Sequence, residues 1–301
     1  ICGWQNSAKP INYIVIGVRI MAITYHDLYL NTCKAMGDMG IEANRLEARE
    51  LICAASGKTP EKLLQDLNLY TTDEIAATVE QMLQRRAKGE PVAYIVGEWS
   101  FLGLTFDVGP QVLIPRVDTE VLAEDAISFV KNQGKCRVLD LCAGSGCIGL
   151  AIAANAPESR VLLGEISEPA IRICRQNIRR NGLTGRVVPM HVDALEKPEK
   201  ALGEFDCIVS NPPYITAEEM KQLPKSVADY EPHLALYGGE DGLDFYRIIV
   251  DQAPDFLKKE GVVMMEIGHD QMSDIIKMFS VDERYSFVTG LKDLAGRDRI
   301  V

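Results

Sequence analysis

The sequence predicts an α/β protein: a doubly wound, mostly parallel sheet preceded by a small helical domain. Three observations carry that prediction. From residue 136 onward, short apolar runs alternate with stretches of helical period. The runs "CRVLDL", "RVLLGE", "RVVPMHVD", "FDCIVS" and "GVVMMEIG" are nearly continuous in apolar residues, as strands covered on both faces must be. The first run also passes into the first helix through a glycine-rich turn, "VLDLCAGSGCIG".

A chain of 301 residues is long enough for two domains and a well-buried core. Its 47% hydrophobic and 25% charged residues are those of an ordinary globular protein. A formal net charge of −11 argues against a protein that grips nucleic acid through phosphate contacts alone. The eight cysteines include no CxxC pair and no His/Cys ligand spacing, so they read as small core residues of a reducing compartment, with no metal site.

Taken in order, "INYIVIGVRI" is apolar but too short to span a bilayer, and no signal-type cleavage site follows it. Met21 reads as a natural start, so residues 1–20 are expected to be a non-native or disordered extension. Residues 21–90 read as the helical domain. Ala48, Leu51, Ile52 and Ala55 share a face and stop at Gly57. Thr59 and Pro60 start the next helix. Thr71 and Glu74 form a capping-box pattern ahead of the stripe Ile75, Val79, Met82 and Leu83. Residues 91–112, aromatic, β-branched and broken by glycines, suggest a β-hairpin linker. The main domain runs over 113–301, and its first helix is expected to be capped near Asp118 or Thr119.

Gly144, Gly146 and Gly149 match G-x-G-x-x-G, and Glu165 ends the next strand about twenty residues on, the arrangement by which a ribose-bearing ligand is held. Alone this would suit a nicotinamide-dependent dehydrogenase. Asp140, at the end of the first strand, would repel a pyrophosphate but suits the ammonium of S-adenosylmethionine. Asp193, ending the third strand, stands where an adenine amino group is read. Simple strand-end capping would also explain both acids.

The fourth strand ends in Asn211-Pro212-Pro213-Tyr214, and two prolines exclude a helix or a sheet interior. An amide or exocyclic amino nitrogen is a poor nucleophile because its lone pair is delocalised. A site that methylates one must orient it with fixed acceptors. The Asn211 side-chain oxygen and the Pro212 carbonyl supply two, the prolines hold them rigid, and Tyr214 offers a face to a planar group. Asn211, Pro212 and Tyr214 are therefore the catalytic candidates. No strong base is needed, since the nitrogen becomes acidic once methylated.

With "VLIPRVDTE" at 112–120, "DLCAGSG" at 140–146, "NPPYI" at 211–215 and "GGEDGLDFYRII" at 238–249, the chain resembles the peptide-chain release factor glutamine methyltransferases over roughly residues 24 to 301. NPPY is shared with DNA and RNA amino-methyltransferases; the 112–120 stretch combined with the 238–249 segment is more specific. The resemblance implies a seven-stranded class I S-adenosylmethionine-dependent methyltransferase fold. It implies methyl transfer to the side-chain amide of the glutamine in a Gly-Gly-Gln loop, and a front helical domain that docks the release factor. It assigns cofactor contacts to Cys142, Ala143, Gly144, Ser145 and Gly146, with Glu165 on the ribose and Asp193 and Ala194 on the adenine side. Asn211 would stand at the transfer centre, and Asn211 to Tyr214 would hold the substrate glutamine. Phe101, from "SFLGLTF", would pack near the cofactor. Release factors are the implied partners, with no direct nucleic acid and no membrane, and the implied location is cytoplasmic. Cys142-Ala143 stands where Gly-Thr is usual, Val117 where proline is, and Ala194 where a bulky aromatic often sits.

Three alternatives remain open. A base amino-methyltransferase would need a basic groove, for which Arg172, Arg175, Arg179 and Arg180 offer a stripe that a solvated helix face would equally explain. A dehydrogenase would bind NAD, and a non-catalytic docking protein would bind a release factor without methylating it.

Overall fold

The computed structural model describes residues 23–197, 202–293 and 295–301. The expected extension at residues 1–20 lies outside them. The chain divides into two compact units after Leu83.

The first unit is helical: α1 (Tyr25–Asp38), α2 (Asn44–Ser56), α3 (Pro60–Gln65) and most of α4 (Asp73–Ala87). Its start and stop chemistry is local. Thr59 caps α3 with Pro60 in the first turn, and Gly57 ends α2 in the left-handed region at φ 65°. The cap of α4 differs from the sequence reading by one residue: the Thr72 hydroxyl, not that of Thr71, accepts from the Ile75 N–H. The reason is non-local. Thr71 N–H donates to the Ile23 carbonyl beside a Thr24–Tyr70 bridge, which keeps residues 70 and 71 extended.

The second unit takes the last turn of α4, then α5 (Val92–Val96) and an antiparallel hairpin of β1 (Glu98–Phe101) and β2 (Leu104–Asp107). After α6 (Val117–Gln133), strands and helices alternate: β3 (Arg137–Leu141), α7 (Cys147–Asn155), β4 (Arg160–Glu165), α8 (Glu168–Arg180), β5 (Val187–His191) and β6 (Phe205–Ser210). The short helices α9 (Ala217–Met220) and α10 (Lys225–Ala228) follow. Then come α11 (Asp244–Gln252), β7 (Leu257–Met265), α12 (Met272–Ser280) and the short strands β8 (Leu291–Lys292) and β9 (Asp298–Ile300). Contrary to the expected Asp118 or Thr119 cap, α6 begins at Val117, with Arg116 as N-cap and no side-chain capping bond. The Thr119 hydroxyl is thereby free for another partner.

Five parallel strands form the sheet in the order β5-β4-β3-β6-β7. The β8–β9 pair is a separate two-stranded ribbon that meets the β7 edge through antiparallel bonds, Met265 with Val301 and Ile267 N–H to the Arg299 carbonyl. Alternate strand residues feed two cores. Val138 and Cys207 face α6, α7 and α8, while Leu139, Leu141 and Ile208 face α11 and α12. Leu139, Leu150, Ile152 and Leu163 are almost wholly buried, each contributing about 1.5–3 kcal/mol. Among the described residues no helix is long and apolar enough to cross a membrane.

Strand order fixes where a ligand can sit. The chain leaves β3 toward β4 and β5, then returns to β6 on the other side of β3. The carboxyl ends of β3 and β6 therefore border the topological switch point, where open α/β sheets form their crevice. Leu141 pairs with Gly164 and Ser210, and Ser210 with Met265. Cys142, Glu165, Asn211 and Glu266 thus leave the sheet at one level.

Candidate active site

At that edge lies a cavity of about 380 Å³, within the range of small-molecule sites. Cys142 to Ser145, Glu165, Val192 to Leu195, Asn211 and Pro213 line it from the strand ends. Gln111 to Leu113, Pro115, Arg116 and Thr119 close one side, and Pro232, Leu234, Ala235 and Phe245 another.

The glycine turn is built for close approach. Gly144 and Gly146 adopt φ of 56° and 81°, and a Cβ on Gly144 would meet nothing within 4 Å, so the backbone faces open space. Gly149 is needed for packing instead: a Cβ there would stand 2.4 Å from Leu163 Cδ2 and 2.9 Å from Asp140 Oδ2. Cys142 sits at φ 58°, a strained setting for an L side chain. Glu165 ties the turn to its strand, accepting from Gly144 N–H and Ser167 N–H at 2.8 Å each. Each carboxylate oxygen retains lone-pair capacity for a ribose hydroxyl.

Asp140 is completely buried and not on the cavity wall. Its Oδ2 accepts from Gly149 N–H at 2.8 Å, and Oδ1 has no partner. Burial pushes its pKa up to about 7, against the Gly149 N–H, which favours the anion. Ser145 Oγ is likewise buried without a partner. The unpartnered Ser145 hydroxyl, beside a glycine turn with open space in front and flanked by an acid with spare acceptors, fits a nucleoside-bearing ligand. Asp193 and Ala194 line the opposite end, where Leu195, Ile166 and Pro169 supply apolar wall. Asp193 Oδ1 also accepts from Leu195 N–H at 2.9 Å.

Not every sequence candidate reaches the cavity. Gly146, Pro212 and Tyr214 are not among its lining residues. Phe101 is 1% exposed in the core, edge-on to Phe106 with ring centroids 6.3 Å apart. Tyr214 turns its hydroxyl to Glu266 Oε1 at 3.5 Å, and burial raises its pKa to about 12.

The Asn-Pro-Pro-Tyr corner is clamped by segments far along the chain. Ile215 N–H donates to Leu236 O, and Gly238 N–H returns a bond to Ile215 O at 3.0 Å. Gly238 has room only for hydrogen, since a Cβ would fall 2.6 Å from Pro213 O and 2.7 Å from Tyr214 Cα. Gln271, 8% exposed, donates to Tyr214 O at 3.1 Å and Gly242 O at 3.2 Å. The "GGEDGLD" segment is thus the backing of the corner.

Several residues that matter here escaped the sequence reading. Asn211 Nδ2 donates to Thr119 Oγ1 at 3.2 Å. Glu231 accepts from Arg116 at 2.5 Å and from Ile114 N–H at 3.3 Å, fixing the segment that walls the cavity. Asn177, wholly buried, holds Asp107 and the Ser145 carbonyl together. Glu266, 2% exposed, is pushed up to about 7 by burial, against the Thr119 hydroxyl, Arg299 and the Tyr214 hydroxyl, which favour its anion. The one available signal was the "IPRVDTE" stretch, which holds both Arg116 and Thr119. Of the basic stripe, all four arginines are exposed on α8, and Arg180 is paired with Glu98 and Asp107.

A switch-point cavity between a glycine turn and an Asn-Pro-Pro-Tyr corner is the arrangement of the class I methyltransferase fold. Residues 101–228 match the methyltransferase small domain and residues 27–97 the PrmC N-terminal domain. The hMettl16 catalytic domain in complex with MAT2A 3'UTR hairpin 6 shares the fold, with a TM-score of 0.51 and 16% identity, over 76% of this chain and 81% of that one. The chain is 37% identical over 261 residues to the release factor glutamine methyltransferase of Thermodesulfovibrio yellowstonii, covering 86% of this chain and 91% of the relative. It is 40% identical over 268 residues to that of Geobacter sulfurreducens, covering 88% and 91%. The chain belongs to the release factor glutamine methyltransferase family.

Proposed function

We propose that the chain transfers a methyl group from S-adenosylmethionine to the side-chain amide nitrogen of the glutamine in the Gly-Gly-Gln motif of peptide chain release factors. The observation that carries this reading is the meeting of Asn211 with the Gly144 turn and Glu165 in one cavity.

S-adenosylmethionine, when bound, supplies the electrophilic methyl group. The chain's residues do the rest by holding and orienting. Gly144 and its neighbours give the backbone close approach, Glu165 accepts from ribose hydroxyls, and Asp193 meets the base. Asn211 Oδ1 and the Pro212 carbonyl take the two hydrogens of the substrate carboxamide, turning its lone pair toward the methyl. Pro212 and Pro213 limit the ordering left to do on binding, and Tyr214 supports the corner from behind the cavity lining, its hydroxyl turned to Glu266. The front helical unit docks the release factor. Apolar walls at Pro115, Pro232, Leu234 and Phe245 exclude water from the reacting pair.

The test is mass spectrometry of release-factor peptides after incubation with enzyme and labelled S-adenosylmethionine, with a parallel nucleic-acid arm. Asn211→Ala is expected to abolish transfer while S-adenosylmethionine still binds by calorimetry. Undiminished turnover in that variant, or label found only in nucleic acid, overturns the reading.

A further inference from the structure

We propose that Asn177 is a positioning residue for the methyl donor: with Cys174 on the same face of α8, it takes the carbonyls of the glycine turn and so fixes which side of that turn the cavity presents to S-adenosylmethionine. This rests on the reading above, in which Gly144 and its neighbours hold that donor.

Glycine gives the turn close approach but no fixed polarity. Gly144 and Gly146 stand at φ of 56° and 81°, and a Cβ on Gly144 would meet nothing within 4 Å, so sterics alone do not stop the adjoining peptides from rotating. A trans peptide points its carbonyl and its N–H in opposite directions. Rotated by half a turn, it would offer an acceptor where it had offered a donor. The orientation must therefore come from outside the turn, from donors that hold the carbonyls to one side.

Helix α8 supplies those donors. Cys174 and Asn177 lie three residues apart, hence on one helix face, and both are wholly buried. Cys174 Sγ donates to Gly144 O at 3.1 Å, and Asn177 Nδ2 donates to Ser145 O at 2.9 Å. Burial holds the Cys174 thiol well above its usual pKa, so it keeps the proton it donates. With Gly144 O turned to α8, the Ser145 N–H points the other way. Ser145 itself lines the cavity.

Asn177 cannot turn over. Asp107 N–H donates to its Oδ1 at 2.6 Å, and its Nδ2 donates to Asp107 O at 3.1 Å. A backbone N–H only donates and a carbonyl only accepts, so Asp107 settles which end of the amide is nitrogen. The second Nδ2 proton is left for Ser145 O. Asp107 closes β2, and three residues later the chain enters the cavity wall at Pro110. One buried amide thus holds the glycine turn and the start of that wall in a single frame.

The neighbouring contact between α8 and the hairpin does not reach the turn. Asn181 Nδ2 donates to Thr105 O at 3.0 Å. Removing it loosens the hairpin and leaves the Gly144 and Ser145 carbonyls held, which separates positioning of the donor from general support of the fold.

The experiment uses the full chain, S-adenosylmethionine and a release-factor substrate, comparing wild type with Asn177→Asp, Cys174→Ala, Cys174→Ser and Asn181→Ala. Asn177→Asp keeps the acceptor for Asp107 N–H and sets an oxygen against Ser145 O. It is expected to raise the donor Kd in calorimetry about tenfold or more, with kcat at saturating donor within about threefold of wild type. Cys174→Ala should raise that Kd about threefold, and Cys174→Ser, which can still donate, should bring it within about twofold of wild type. Asn181→Ala should lower the urea midpoint and leave the donor Kd within about twofold.

An Asn177→Asp enzyme that binds the donor as wild type does, or loses kcat without losing affinity, would overturn the proposal. So would a serine at 174 no better than alanine, or an Asn181→Ala enzyme that weakens donor binding as much as Asn177→Asp. If Asn177→Asp does not fold, the two Cys174 variants still decide the matter through donor affinity. A wild-type chain that fails to bind S-adenosylmethionine would defeat the underlying reading. Wild-type binding beside unchanged binding in Asn177→Asp would defeat this inference alone.

Discussion

Gly238→Ala tests whether the Asn-Pro-Pro-Tyr corner is held in place by the segment behind it. Gly238 lies outside the left-handed region, so alanine can adopt its backbone, and any effect must come from contact. The added Cβ would stand 2.6 Å from Pro213 O and 2.7 Å from Tyr214 Cα. Ordinary contact begins at 3.4 Å, so the two segments must separate by about 0.8 Å, and backbone atoms have no rotamer to escape into. Tyr214 is also tethered, its carbonyl accepting from Gln271 Nε2 at 3.1 Å. Overpacking of this kind costs about 1–3 kcal/mol. A shift approaching 1 Å at a reacting geometry costs up to about a hundredfold in rate. Gly238→Ala should therefore lower single-turnover methyl transfer by about ten- to a hundredfold while donor affinity barely changes, since the Gly144 turn is untouched. Rapid quench with labelled donor, calorimetry and urea denaturation measure the three quantities. Gly182→Ala is the comparison: exposed, at φ 67° and with nothing within 4 Å of its Cβ, it should lose about 1 kcal/mol through strain and none of the rate. A Gly238→Ala enzyme turning over within about twofold of wild type would refute the reasoning.

Two further outcomes follow from buried acids. Glu231→Ala should destabilise by about 1–3 kcal/mol in urea denaturation, because the Ile114 N–H loses its acceptor and Arg116 its partner, while Glu231→Gln keeps an acceptor and should lose less. Asp140 is protonated in the fold up to about pH 7 but ionised above about pH 4 when unfolded, so its burial lowers stability as pH climbs through that window. Asp140→Asn should accordingly melt higher than wild type, with an advantage that grows from about pH 4 and levels off above about pH 7. An advantage that shrinks over the same range would contradict the burial of that charge.

What the sequence made legible was local. The glycine turn, the strand runs, Glu165 and the Asn-Pro-Pro-Tyr corner each announce themselves within a few residues, because turn chemistry and periodicity are short-range. Thr119 shows where that fails. A threonine just inside a helix start reads as a cap, yet its hydroxyl serves Asn211, 92 positions away. Arg116 and Glu231 meet across 115 positions, and Asn177 reaches Asp107 across 70. Nothing near any of these residues specifies its partner. Phe101, named through the resemblance alone, lies in the core against Phe106, and no local pattern in its hairpin shows which residues bury it.

Strand register supplies the link between these distant groups. Side chains alternate along β6, so a slip of one residue against β3 would turn Asn211 away from the cavity and bring Ser210 out in its place. Ser210 opposes that slip directly: wholly buried, it donates from Oγ to the Leu141 carbonyl at 2.8 Å, and its own carbonyl accepts from Glu266 N–H at 2.9 Å. One side chain therefore locks the strand bearing Asn211 to the strand bearing the glycine turn, while its backbone locks it to the strand bearing Glu266. Asn211 and Glu266 are thus set by the same ladder of hydrogen bonds. Their spacing can then be no looser than the core that holds the ladder flat.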